Sequence, residues 1–150
     1  MAMAPFYRTW LTVWCWFTLA FGVLLVDAAF PPFDSPARLI FDLVYWPLDG
    51  QPIISRPETQ FATGILGAVM LGWGWLMLAL IRRPEVDSVL WRAMVASMLI
   101  WFVPDSIVSA KTGAVLNVVS NMILLGLFLY PVFASGVLKA TAPGRPVLQS

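Results

Sequence analysis

Apolar residues run almost unbroken through four stretches of this chain, and charged residues or prolines mark where each stretch stops. The first, Trp10 to Val26, lies between Arg8 and Asp27. As a helix its 17 positions span roughly 26 Å, and extension through Ala28, Ala29 and Phe30 brings it to the roughly 30 Å of a hydrocarbon core before Pro31 and Pro32 end it. The second, Thr59 to Ile81, holds 23 residues without a charge and closes on Arg82-Arg83-Pro84. The third begins after Arg92 and reaches Ala110 with Pro104 and Asp105 inside it, and Lys111-Thr112-Gly113 then reads as a tight turn. The fourth, Thr112 to Leu138, is free of charge, and Tyr130-Pro131 marks a kink or its interfacial end. The expected fold is all-α: an integral membrane four-helix bundle in a single domain over 1–150, with spans at about 10–30, 59–81, 92–110 and 112–138. For the first run the alternative is a signal peptide with Arg8 as its n-region, cleaved near Val26-Asp27-Ala28. The length of the run and its three tryptophans, Trp10, Trp14 and Trp16, favour a retained span.

Between the first two spans lies the one long polar connection. Ser35-Pro36 has the form of a helix N-cap followed by proline at the first helical position. Behind it Leu39, Ile40, Leu43, Val44 and Trp46 fall on one stripe, with Arg38 and Asp42 opposite. The pattern predicts a short amphipathic helix at about 36–46 lying in the membrane interface, either covering the helix ends or gating them. Pro47, Asp49-Gly50 and Pro52 predict its end and a turn, and the segment from Lys139 onward reads as a short tail.

Composition narrows the chemistry. Hydrophobic residues make up 60% of the chain and charged residues 11%, against roughly 25% in soluble domains, too few to clothe a water-exposed surface. A net charge of +1 gives no field to attract nucleic acid. Histidine is absent, which removes the commonest metal ligand and general base, and the one cysteine, Cys15, cannot form an internal disulfide or a dithiol pair. No metal and no cofactor is expected. With both termini on one side, that side holds Arg8, Arg82, Arg83, Arg92, Lys139 and Arg145, and the other holds Arg38, Arg56 and Lys111. The bias predicts a multi-pass protein of a bacterial inner membrane with both termini cytoplasmic.

Two groups of residues stand out. Gly64, Ala68 and Gly72 repeat every fourth position in the second span, widened by Gly67 and Gly74, and predict a smooth strip for close helix packing. Asp105 with Ser109 in the third span, and Asn117 with Asn121 in the fourth, form the second group. Folding the two helices back about residue 111 brings Asp105 level with Asn117, within hydrogen-bond reach. A carboxylate at this depth is costly, so the four residues are candidate ligand-binding groups, or else glue that locks the hairpin. No residue is assigned a catalytic role: a lone carboxylate with amides is a poor catalytic set. Ser106 or Ser109 is expected to satisfy the carbonyl that Pro104 frees. Trp10, Trp46 and Trp91 fall at predicted helix ends, as in an interfacial aromatic belt, while Trp73 and Trp75 lie deeper on different sides.

The run Phe41-Asp42-Leu43-Val44-Tyr45-Trp46-Pro47-Leu48-Asp49-Gly50, the glycine-rich second span, and Trp101-Phe102-Val103-Pro104-Asp105-Ser106 followed by Gly113, Asn117 and Asn121 resemble small four-helix bacterial membrane proteins, broadly DoxX-like. The resemblance covers most of the chain and implies the four-helix fold. Some DoxX-type proteins are subunits of thiosulfate:quinone oxidoreductases or partners in thiol-stress systems, but the single cysteine here argues against dithiol chemistry. The sequence alone therefore points first to a non-enzymatic accessory or scaffold subunit, held in the lipid bilayer and packed against other membrane-protein subunits or a second copy of itself. The alternative is a carrier that binds a small molecule or lipid in a polar pocket near the outer end of spans three and four.

Overall fold

The computed structural model describes residues 3–46, 50 and 56–139. The expected turn at Pro47, Asp49 and Pro52 and the tail beyond Lys139, with Arg145, fall outside them. Among the described residues the chain is entirely helical: α1 (Pro5–Asp27), α2 (Ser35–Val44), α3 (Pro57–Ile81), α4 (Ser88–Lys111) and α5 (Val115–Ala134). Four of these, α1, α3, α4 and α5, are long and apolar enough to cross a membrane, and α2 is the short interfacial helix between the first two.

The boundaries shift for local reasons. Helix α1 starts at Pro5, whose fixed φ suits a first turn, and ends at Asp27 rather than continuing to Phe30. Helix α3 likewise begins on a proline, Pro57. Helix α4 begins at Ser88 because the Asp87 carboxylate accepts a hydrogen bond from the Val89 amide at 3.0 Å, so Arg92 lies within the helix rather than before it. The cap of α2 is Asp34, one residue earlier than the sequence suggested, with Ser35 and Pro36 in the first turn. Helix α5 stops at Ala134, short of Leu138, where Gly136 turns the chain at a φ of +70°.

The helices pair as two antiparallel hairpins, α1 with α3 and α4 with α5, joined chiefly where α1 meets α5. The core sits toward the end that carries Arg8, Arg82 and Arg92. There Leu11 and Trp14 of α1 pack with Met77, Leu78 and Ile81 of α3, Trp91, Met94 and Met98 of α4, and Phe128 and Val132 of α5. Trp91, expected in an aromatic belt, is 3% exposed and belongs to this core. Trp14, Trp73 and Trp101 stack edge to face or tilted, each pair of ring centres 6.1 Å apart, and bridge the two hairpins.

The α1–α3 contact is not made by the strip of Gly64, Ala68 and Gly72. Ala68 and Gly72 are exposed, and a side chain at Gly72 would meet nothing within 4 Å, while Gly64 has only ordinary contact with Ala29. The close approach lies about 100° around the helix from the middle of that strip, at Gly67, where a β-carbon would fall 2.6 Å from the Gly22 carbonyl oxygen and 2.7 Å from the Val26 nitrogen. Thr63, Gly67, Gly74 and Leu78 form this buried face, and Gly74 receives Leu19.

Across the α1–α5 seam ring contacts such as Trp14 with Phe128 are joined by two indole hydrogen bonds that end on main-chain oxygens. Pro131 lies inside α5, fully buried, and has no N–H for the carbonyl of Leu127 one turn back. The Trp10 indole N–H donates to that oxygen at 2.9 Å, and the Trp14 indole donates to the Leu124 carbonyl at 3.1 Å. Trp10 is thus a fastener between helices rather than a belt residue, and Pro131 continues the helix instead of ending it.

Two outcomes follow from these contacts. Gly67→Ala forces two backbones apart and should lower stability by about 1–3 kcal/mol, whereas Gly72→Leu should leave the melting temperature nearly unchanged in detergent. Trp10→Phe strands the Leu127 carbonyl and should cost about 1 kcal/mol or more, but Pro131→Ala supplies an N–H of its own to that oxygen. Thermal melts of the double-mutant cycle should therefore show the Trp10→Phe cost falling in the Pro131→Ala background, and equal costs in both backgrounds would refute the assignment.

Candidate ligand-binding cavity

Away from the packed core the hairpins diverge, and a groove-like cavity of about 1030 Å³ lies between them, open along the side where Val13, Phe17 and Ile123 are exposed. Helix α1 supplies one wall with Trp10, Val13, Trp14, Phe17 and Phe21, and α5 supplies another with Ile123, Leu124 and Leu127. Leu66 and Met70 of α3 and Trp101 of α4 contribute beside them.

Helix α2 lies across the end of the cavity remote from Arg8. Its positions 37, 40, 41 and 44 are one helical turn apart and face inward: Ala37 is buried against Ala28 with Phe41 and Leu24 beside it, and Ile40, Phe41 and Val44 line the cavity. Leu39 and Trp46 are exposed, while Leu43, itself partly exposed, also lines the cavity, so the single apolar stripe expected from sequence is only partly turned to the bundle. The start of α2 is held by Asp34, which is 3% exposed and accepts from the Arg38 guanidinium, Nε at 2.7 Å.

Apart from Thr9 and Tyr45, the polar side chains of the cavity gather where α4 meets α5. Asp105, Ser109, Asn117 and Asn121 all line it. The fold-back about residue 111 brings Asn117 Nδ2 to 3.2 Å from Asp105 Oδ1, and Ser109 Oγ donates to the same oxygen at 3.1 Å. Asn121 Nδ2 donates to the other oxygen, Oδ2, at 3.0 Å, and Asn117 Nδ2 also reaches Ser109 Oγ at 2.8 Å. Asn121 is 3% and Ser109 5% exposed, with Asp105 and Asn117 half-buried. Asp105 stands six residues before the end of α4, about 9 Å along the helix from Lys111. Both carboxylate oxygens are therefore solvated by neutral donors, more than one turn inside the end of α4.

Pro104 is accommodated without the serines. Ser109 is committed to Asp105, and the Ser106 hydroxyl has no partner among the described residues. Two further residues take part. Ser120, which shares the i, i+3 and i+4 spacing of Asn117 and Asn121 in the sequence, lines the cavity beside them with its hydroxyl donating to the Leu116 carbonyl at 2.9 Å. Thr112, read from sequence only as part of the turn, lines it as well. Cys15 is fully buried in the core and does not reach the cavity. Comparison with protein-family models, with curated proteins and with solved structures gives no match for this chain.

Proposed function

We propose that this is a membrane-embedded binding protein, a carrier for an amphipathic small molecule or lipid. The single observation behind the reading is the coincidence of a large apolar cavity with one buried polar cluster on its wall. Apolar lining gives affinity by burying ligand surface, and a few placed polar groups set its orientation. A purely structural clasp would need Asp105, Asn117 and Asn121 to meet, but it would not need 1030 Å³ beside them. Chemistry on the bound molecule is not part of the proposal, because no nucleophile–base pair faces the cavity.

A second reading, a scaffold subunit packing against other membrane proteins or a second copy, draws on one observation. Ala68 and Gly72 leave an exposed, side-chain-poor surface on α3 that none of the described helices covers. A DoxX-like relationship is proposed on the residues given above. An inner-membrane location is proposed from their bacterial likeness, and cytoplasmic termini from the positive charge gathered at Arg8, Arg82, Arg83, Arg92 and Lys139.

Native mass spectrometry after gentle extraction separates the readings. The carrier reading expects a retained small molecule that is lost in Val13→Trp, a substitution that fills the cavity from an exposed position on α1. Retention of a protein subunit by a chain with an empty cavity would favour the scaffold. For orientation, a reporter after Gly50 should read external and one at the C-terminus cytoplasmic. The reverse pattern would invert the assignment.

A further inference from the structure

The polar cluster also has a sign. Asp105 is an acceptor only, and the hydrogen bonds it receives come from Ser109, Asn117 and Asn121, none of which is charged. No lysine or arginine pairs with it among the described residues; Arg38 pairs instead with Asp34. Removing a carboxylate from water without a counter-charge is expensive, and neutral donors offset only part of that cost. The amide N–H groups of Asn117 are spent on Asp105 and Ser109, while the side-chain carbonyl oxygens of Asn117 and Asn121 accept no hydrogen bond among the described residues. Toward the cavity the cluster therefore offers one formal negative charge and two amide acceptors. A phosphate or carboxylate head would meet repulsion there. A small inorganic cation would satisfy the charge but leave the apolar cavity without purpose.

We propose that the cavity binds an amphiphile with a protonated primary amine as its head. The ammonium sits against Asp105 with N–H bonds to Asn117 and Asn121, and its hydrocarbon body lies along the Val13–Trp14 and Leu124–Leu127 walls. Three N–H donors on an ammonium match the three acceptors that the cluster presents. This deepens the carrier reading and rests on it. The ammonium can belong to a free alkylamine or to an ethanolamine lipid headgroup, and a choline head, which has no N–H, does not fit.

The test uses the full chain in phosphatidylcholine nanodiscs and three probes of equal length: dodecylamine, dodecanol and dodecanoic acid. Half-occupancy concentrations are read by native mass spectrometry. Dodecylamine should bind tightest in the unmodified protein. Asp105→Asn, which keeps the shape of the cluster, should weaken dodecylamine at least about tenfold more than it weakens dodecanol, the scale of a charge-assisted hydrogen bond. A melting temperature matching that of the unmodified protein establishes that the variant is folded. Equal binding of dodecanoic acid or dodecanol to the unmodified protein, or dodecylamine binding that survives Asp105→Asn, overturns the amine assignment while the carrier reading stands. Failure of all three probes to bind overturns both. Replacing phosphatidylcholine with phosphatidylethanolamine then identifies the source of the amine: competition with dodecylamine points to the lipid head, and its absence to a free amine.

Discussion

Everything in this bundle is hung on a place where two main chains touch. At Gly67 the backbone of α3 lies so near Gly22 and Val26 of α1 that not even a methyl group fits between them. Lipid tails solvate leucine as well as another helix does, so burial of apolar side chains gives little reason for helices to associate in a bilayer. Close approach supplies what burial cannot, because dispersion contacts accumulate along the touching backbones and side chains. With α1 pinned to α3, α1 becomes the post against which α5 and α2 are set, and the cavity is the space left where α4 and α5 diverge from that post.

The second constraint is the need of every main-chain polar atom for a partner where water is scarce. Proline inside a spanning helix creates an acceptor with no donor. At Pro131 the molecule answers with an indole from the neighbouring helix. An apparent defect in α5 thereby becomes the point at which the two hairpins are joined. Trp14 donates to the Leu124 carbonyl one turn away, an acceptor no proline has freed, while packing its ring on Phe128 and Trp73, so one residue both closes the core and begins the cavity wall.

The four spans and the interfacial helix were legible in sequence because charge and proline punctuate long apolar runs, and that signal does not depend on which helix touches which. The pairing of Asp105 with Asn117 was legible too, since a short turn between antiparallel helices fixes their register by counting outward from residue 111. The packing face of α3 was not. Gly64, Ala68 and Gly72 have the spacing of a contact strip, but so do Thr63, Gly67 and Gly74 around the same helix, and sequence cannot say which side α1 occupies. Trp10 and Trp91 misled for a similar reason: an indole near a helix end suits an interface, a core or a backbone carbonyl equally well, and only the neighbour decides. The polar corner of the cavity was legible in Asp105, Asn117 and Asn121, but its size was not, because the volume is made by divergence of helices rather than by any residue.

The indoles of Trp10 and Trp14 end on carbonyl oxygens, not on side chains. Main-chain acceptors are the same whatever residue bears them, so the register between α1 and α5 does not depend on which side chains occupy Leu124 and Leu127. Frame and lining are thereby uncoupled. A lineage, or an engineer, can reshape the apolar wall of this chamber to suit a bulkier or slimmer guest while the scaffold around it keeps its alignment.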